Sequence, residues 1–553
     1  MTMVKQRART LPGAMARRAM HPKVLRTGAG ARAWRLMVDA PGLSDSLRSR
    51  IARRVGEGLA KANRPEGAVL ALSAAARRTT GARHRADLLG QAARIELGRG
   101  KAPRVLTAAV SAELSWADTQ WAAGRRRVAA ASAVTALRLA FHRVLHFDRT
   151  TSPLAEDPGA YLEPVHRSET VRALTRSAGR ATPAAEPPAG RPLRLLFVTR
   201  GNANFLQQIR DHYGDHAEVE ARYLDFKDVP ALDRLATSLP RLAAHRLGDD
   251  KEFGRQAEEL LRPHLDWADT VFVDWCAGPA AVISSVDPGT TRVVVRLHSA
   301  ETFSPWPFLV DFSRVDDLVF VGAHLRDLTV SVVPQLSSAR APRLHVIANA
   351  MDLTSQVRPK SDEARFTLGL TGISSVAKDP RWAIKVLRVL RAEDPRYRLF
   401  LLGEDVDGKL SAASRAYARD YRRDVEELEP SGALRRLGQV DDVPAALADV
   451  GVIISSSVRE SFHCGFVEGA ASGAVPVGRD WPFFAGKANS ARTLFPADWV
   501  VGSPQEAARR ILELTATPET WREAGRAASA HALAEWDWPV VRTRFDRLLL
   551  GPR

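Results

Sequence analysis

The sequence predicts an α/β protein in which two Rossmann-like, doubly wound domains follow an α-helical N-terminal extension. From residue 193 onward, short apolar runs of strand length alternate with helix-length stretches, in two successive blocks of about 160 residues. Strands separated by helices are parallel and covered on both faces, so they read as unbroken apolar runs. A third observation marks the border: Ala181-Thr-Pro-Ala-Ala-Glu-Pro-Pro-Ala-Gly190 cannot continue a helix and reads as a linker.

Taken in order, residues 1–40 lack periodicity and are expected to be a basic, flexible terminus. Residues 41–180 read as helical. Leu47, Ile51, Val55 and Leu59 recur every fourth residue, and Ala-rich runs with Leu88, Leu89, Ile95, Leu137, Leu139, Phe141 and Leu145 follow. Gly81, Gly98, Gly100 and Gly124 punctuate them, which suggests stacked helical hairpins. After the linker (181–192), the first domain (193–350) offers Leu193–Val198, Thr270–Val273, Arg292–Leu297, Leu318–Val321 and Leu344–Ile347 as strands. The second (351–530) offers Phe366–Leu370, Tyr397–Leu402, Val450–Ile454 and Ala474–Val477. Ligands in such sheets bind at the carboxyl ends of the strands.

Composition bounds the function. A chain of 553 residues is long enough for two or three domains. The formal net charge is +17, and residues 1–150 hold 29 Lys/Arg against 9 Asp/Glu, so the whole basic excess lies there. Such a surface is drawn to anionic lipid or another polyanion; the competing reading is that the arginines merely solvate helices. Nucleic acid is not the expected partner, because only Trp34, Trp116 and Trp121 supply tryptophan there. The two cysteines, Cys276 and Cys464, stand far apart, which argues for a reducing compartment and against structural zinc. No uninterrupted apolar stretch approaches the ~20 residues of a membrane span, and no apolar core follows the first basic residues as a secretory signal would require. The expectation is a cytoplasmic protein, peripheral to the inner face of a membrane.

The strongest local pattern is Glu460-Ser-Phe-His-Cys-Gly-Phe-Val-Glu468, followed by Gly-Ala-Ala-Ser-Gly-Ala-Val-Pro-Val477. Glu460 falls in a loop after a strand and Glu468 inside the following helix, which Gly473 ends. Gly465 near the helix start would let backbone amides approach a phosphate. Lys378 precedes Asp379 and Pro380, a helix-start pair, so that a cation and a positive helix end converge on one anion.

This passage resembles the Glu-x7-Glu motif of retaining GT-B glycosyltransferases, family 4 in particular. The resemblance spans about residues 193–548 and leaves out 1–180. It implies that Glu460 approaches the donor sugar, that Glu468 binds the ribose hydroxyls of the nucleotide, and that Lys378 neutralises the donor diphosphate. Gly465 and Phe466 belong to the same donor site, Gln439 and Val440 to the segment that reads the base, and Gly403 to the turn after a central strand. Arg296-Leu-His298-Ser-Ala-Glu301 resembles the histidine-bearing loop, which places His298 against the transferred sugar. The resemblance also implies that Gly201 and Asn202, after the first strand, face the acceptor. Val346-Ile-Ala-Asn349-Ala-Met-Asp352 resembles the junction between domains, and residues 531–553 the helix that crosses back onto the first domain. The sequence departs from the pattern at Ile373, where the family has an arginine sharing the phosphates, at Ala350 in place of glycine, and in keeping only Gly201 of paired glycines.

The implied reaction moves a sugar from a nucleoside diphosphate to an acceptor hydroxyl with retention, the acceptor being a glycan, a lipid-linked intermediate or a small molecule. Envelope polysaccharide or glycoconjugate assembly is the preferred context. The donor is the only cofactor-like molecule implied, and the family usually uses no metal. Two motifs are discounted. Asp405-Val-Asp407 mimics a metal-binding Asp-x-Asp, and His463 beside Cys464 mimics a base–nucleophile pair without a third orienting group. The alternatives are a non-catalytic relative that uses its basic helical extension as an interaction module, and a nucleotide-sugar epimerase.

Overall fold

The computed structural model describes residues 42–551, and the basic terminus predicted over 1–40 lies outside them. Of the described residues, those up to Val144 together with Leu162–Arg172 form one compact unit, and Leu145–Tyr161 with the chain from Ala173 onward form another.

The first unit contains helices α1 (Asp45–Lys61), α2 (Pro65–Arg78), α3 (Ala82–Gly98), α4 (Leu106–Ala122) and α5 (Arg126–Ala140), each packed on the next. Gly81 is the N-cap of α3, and Gly100 and Gly124 take left-handed conformations in the turns that follow α3 and α4. In α1 the apolar stripe is buried only in its second half. Ala52, Val55 and Leu59 are sealed whereas Leu47 is 39% exposed, because a strict four-residue spacing drifts around a helix of 3.6 residues per turn. Arg126–His146 is long and apolar enough to cross a membrane by length and composition, and 67% of the window that passes this test is buried. That differs from the sequence expectation because the run is interrupted by only a few polar residues.

The second unit carries two parallel six-stranded sheets. The first contains β1 (Leu193–Thr199), β2 (Val219–Asp225), β3 (Thr270–Asp274), β4 (Arg292–Leu297), β5 (Asp317–Phe320) and β6 (Arg343–Val346), in the order β2-β1-β3-β4-β5-β6. The second contains β7 (Thr367–Thr371), β8 (Arg398–Leu402), β9 (Leu434–Gly438), β10 (Val452–Ser455), β11 (Val475–Arg479) and β12 (Val500–Val501), in the order β12-β11-β10-β7-β8-β9. In each sheet the chain builds outward from one strand, then returns to its other side. The resulting switch points lie between β1 and β3 and between β7 and β10, where the loops at the strand ends part and leave a crevice.

The linker keeps its bounds, and one boundary differs from the sequence reading. The segment 181–192 is irregular but tied down: Arg180 grips Asp316 at 2.5 Å and the carbonyls of Gly289 and Thr291, and Ala185 N donates to Thr290 O. The crossover begins at Trp538. Its predecessor α9 (Pro518–Trp536) packs on the second sheet, where Trp521 Nε1 donates to Gly451 O at 2.9 Å. Asp537 then interrupts the helix, its carboxylate taken by Leu353 N and Thr354 Oγ1, and α10 (Trp538–Leu549) lies on the first sheet's domain, with Tyr213 OH on Asp546 at 2.8 Å. That segment 145–161 groups with the sheets follows from its own anchors: Phe147 faces Arg459, and Lys487 Nζ reaches Ala155 O.

Candidate active site

The loops that leave β7 and β10 meet at the second sheet's switch point. Gly372 turns the chain with φ +70°, and a short 3-10 turn, Val376–Lys378, brings Lys378 back towards β10. There Ser456 Oγ donates to Lys378 O at 2.6 Å and Val458 N to Ala377 O at 2.8 Å, locking the two loops together. Across this junction Lys378 Nζ binds Glu460 Oε1 at 2.7 Å, and Ser457 Oγ donates to the same oxygen at 2.6 Å. Burial pushes the Glu460 carboxyl up, but the ammonium, the neighbouring His463 and the hydrogen bonds from Lys378 and Ser457 overcome it and hold the pKa down to about 2.

Pro380 opens the next helix, α7 (Pro380–Glu393), as the sequence suggests. Asp379 does not cap it through its side chain. Its backbone is left-handed (φ 42°) and its carboxylate is claimed by Tyr417 OH at 2.6 Å and Arg479 Nη1 at 2.7 Å. Ile373 is fully buried in the second domain's core.

The helix α8 (Cys464–Ala471) starts beside Glu460. His463 is its N-cap in a left-handed conformation (φ 78°), with Nδ1 accepting from Phe466 N at 3.0 Å and Nε2 3.4 Å from Glu460 Oε1. Burial lowers the His463 pKa to about 4, so the ring is neutral at ordinary pH. Phe466 thus spends its amide on the cap, and its ring packs on Phe495 and Trp499 in the interior. At Gly465 a Cβ would stand 1.8 Å from Thr371 Oγ1, so the missing side chain is what lets α8 seat against the end of β7. Glu468 projects from the same helix, half-buried. Its carboxylate has no protein hydrogen bond among the described residues, and burial raises its pKa despite Lys378. Burial pushes the Cys464 thiol up to about 12, and its Sγ accepts from Asn349 Nδ2 at 3.4 Å.

Gly403 follows β8 with φ +108°, and its N–H donates to Gly438 O at 2.7 Å. This brings the Gly403 turn beside the loop of exposed Gln439 and half-buried Val440.

From the first sheet, His298 follows β4 and is sealed between Phe205 and Trp275, whose ring centroids lie 5.1 and 4.3 Å away. Its Nε2 is 3.3 Å from Asp274 Oδ1, and Asp274 is gripped by the fully buried Arg296 at 2.7 and 2.9 Å. Burial pushes the Asp274 carboxyl up, but the Arg296 charge and His298 hold it well below the usual range; burial also lowers His298 itself. His298 Nδ1 is buried without a partner. Gly201 N binds the Asp225 carboxylate at 2.9 Å, and the Lys227 side chain occupies the space beside Gly201. Asn202 O accepts from Trp275 Nε1 at 3.1 Å, bridging the first switch point.

The two sheets' strand ends touch here. Ser299, next to His298, donates its N–H to Ser461 Oγ at 2.9 Å, Arg459 Nη1 reaches Ser299 Oγ at 3.0 Å, and His324 Nε2 is 3.0 Å from Glu460 O. Glu460, Lys378 and Glu468 therefore share one switch point, with the His298 loop against its rim. The architecture is two Rossmann-like, doubly wound sheets.

No family model and no curated protein matches the sequence. Among solved structures, the chain is similar to HepE of Anabaena in complex with UDP (16% identity, 65% of this chain and 100% of that one, TM-score 0.49). It is also similar to a UDP-forming α,α-trehalose-phosphate synthase of Burkholderia xenovorans (13%, 65% and 99%, 0.48) and to sucrose-phosphate synthase of Thermosynechococcus elongatus (15%, 64% and 98%, 0.47).

Several residues at the site carried no signal in the sequence. Ser461, Ser299 and His324 act through contacts between segments distant in the chain, Ser457 bonds Glu460 three residues on within the same loop, and Asp274 is the last residue of an apolar strand. No group of three or more His, Cys, Asp and Glu side chains is placed to hold a metal among the described residues. Asp405 and Asp407 are engaged instead with Tyr421 OH, Arg436 and Lys409 N.

Proposed function

We propose that the protein transfers a sugar, with retention, from a nucleoside-diphosphate donor to an acceptor hydroxyl. The observation that carries this reading is the Lys378–Glu460 pair at the switch point, with the unpartnered carboxylate of Glu468 on the adjoining helix. An ionised carboxylate accepts hydroxyl hydrogen bonds. Glu468 offers one for a ribose and Glu460 one for the donor sugar. The Lys378 ammonium and the N–H groups at the start of α8 favour the negative charge that grows on a departing diphosphate. Incoming diphosphate competes with Glu460 for Lys378, so donor binding would free the Glu460 carboxylate for the sugar. His298 is sealed between Phe205 and Trp275, so a sugar hydroxyl would reach its ring only on opening of that stack.

With both site carboxylates, Glu460 and Glu468, given to hydroxyls of the donor, the acceptor would attack on the face that the diphosphate leaves. The basic region over residues 1–150 would hold the enzyme at an anionic membrane surface, in envelope polysaccharide or glycoconjugate assembly.

The test is a screen of labelled nucleotide sugars with product stereochemistry read by NMR. Glu468→Ala should raise the donor KM about 10- to 100-fold, the worth of hydrogen bonds to a charged group; an unchanged KM would remove Glu468 from the donor site. One observation favours a second reading, that of a non-catalytic relative. Ile373 is buried in the core, which leaves its loop one cation short of the family pattern. Calorimetry in which no nucleoside diphosphate binds would decide for that reading.

A further inference from the structure

A cleft of about 1230 Å³ lies at the amino ends of β4, β5 and β6, away from the His298 loop. Arg292, Asp317 and Arg343, the first residues of those strands, line it, whereas His298 follows β4 at the opposite end. Six residues of extended chain set the two apart by roughly 20 Å. The stretch from Ala178 to Pro187 lines the cleft too, and so do the last turns of the crossover helix α10. Both are fixed in place. Gly179 N donates to Ser313 Oγ at 2.9 Å and Arg314 Nε to Gly179 O at 2.7 Å, while Arg292 Nη1 donates to Leu548 O at 2.6 Å near the end of α10.

The charges of this cleft do not balance. Six arginines line it against three carboxylates, those of Glu186, Asp316 and Asp317, a surplus of three positive charges before His345 is counted. The two aspartates are already engaged. Asp317 is fully buried and accepts from Arg292, Arg343 and His345, each at 2.8 Å, and Asp316 accepts from Arg180 at 2.5 Å and from Val293 N at 2.8 Å. Arg340, Arg544 and Arg547 are exposed, with neither an ion pair nor a side-chain hydrogen bond among the described residues. Arg544 and Arg547 stand three apart on one face of α10. The Arg340 guanidinium lies over Gly179, where an added Cβ would be 3.4 Å from Nη1. A guanidinium grips phosphate oxygens through paired N–H donors. One phosphoryl group carries about −1.5 to −2 charges at neutral pH, so two of them match the surplus.

We infer that this cleft binds a compact ligand bearing two phosphoryl groups, held by Arg340, Arg544 and Arg547. None of these residues belongs to the Glu460 site, so the two sites are tested separately.

The experiment is calorimetry on the full chain with inorganic pyrophosphate, fructose 1,6-bisphosphate and 2,3-bisphosphoglycerate, compared with glucose 6-phosphate. At least one bisphosphate should bind the wild type about tenfold or more tightly than the monophosphate does. It should weaken by about tenfold or more, the worth of one charge-assisted hydrogen bond, in Arg340→Glu and in the double variant Arg544→Glu with Arg547→Glu. The charge-keeping pair Arg544→Lys with Arg547→Lys should weaken it as well, because an ammonium cannot make the paired contact. Lys378→Met should leave it unchanged. Failure of every bisphosphate to bind would overturn the proposal, as would equal binding of the monophosphate. So would full affinity in the lysine pair, which would mean diffuse charge attraction, or binding lost in Lys378→Met but kept in the glutamate pair. Phosphatidylglycerol vesicles test the lipid source. Vesicle binding lost in the glutamate pair, with no free bisphosphate bound, would make the cleft a membrane contact and also overturn the proposal.

Discussion

Lys378 and Glu460 neutralise each other at 2.7 Å while Glu468 stands without a partner, and this asymmetry sets the residue-scale expectations. Lys378→Met removes the ammonium on Glu460 and, on the proposed reading, the charge offered to the leaving diphosphate. It should lower kcat about 100-fold or more, the usual cost of deleting one preorganised electrostatic donor, with a smaller change in donor KM. Turnover equal to that of a surface-lysine variant would take Lys378 out of the mechanism. Glu468 gives a pH-dependent expectation. Its folded pKa is raised by burial, so the folded state holds its proton longer than the unfolded chain does. The resulting penalty is absent below the ordinary carboxylate range and fully present once pH has risen through the folded pKa. Glu468→Gln should therefore raise Tm at pH 8, with the gain shrinking towards pH 4. A gain independent of pH would refute the burial argument.

At the scale of elements, α8 carries Glu468 and is positioned by the contact of Gly465 with Thr371. Gly465→Ala forces a Cβ onto Thr371 Oγ1 and must push the helix off the end of β7. Overpacking of this kind costs about 1–3 kcal/mol, to be read as a lower denaturation midpoint, and donor affinity should fall with it because Glu468 moves. Stability and affinity both at wild-type level would show that the helix is not seated there. The strands show what the sequence could and could not reveal at this scale. The central strands β1, β3, β4, β5, β7, β8, β10 and β11 were legible because a parallel strand covered on both faces must be apolar along its length, and the edge strand β6 was legible through its apolar Leu344 and Val346. β2 and β9 were not, since edge strands leave Glu220, Arg435 and Arg436 in solvent and break the apolar run; β12 is only two residues long.

For the whole molecule, the basic excess concentrated in residues 1–150 predicts electrostatic attachment to anionic surfaces. The full chain should sediment with phosphatidylglycerol vesicles at low ionic strength, at least tenfold more than with phosphatidylcholine vesicles, and should be released by 1 M salt, where the Debye length is about 3 Å. Equal sedimentation with neutral vesicles would contradict it. Between the sheets, Ser299–Ser461, Arg459–Ser299 and His324–Glu460 join the two sets of strand ends, so Glu460 is bonded across the gap between them.

By itself the sequence determined the α/β class, the central strands, the start of the first sheet at Leu193 and the placing of Glu460 and Glu468 on either side of a helix start, because each of these is written in neighbouring residues. Only the tertiary structure decided that Lys378 meets Glu460 from 82 positions away, that Asp274 and Arg296 hold His298, that Asp379 spends its carboxylate on Tyr417 and Arg479 rather than on a cap, and that Phe466 belongs to the core. The physical reason is that hydrogen-bond partners and burial depend on which strand ends share a switch point, and strand order is fixed by long-range packing that leaves no mark on the local sequence.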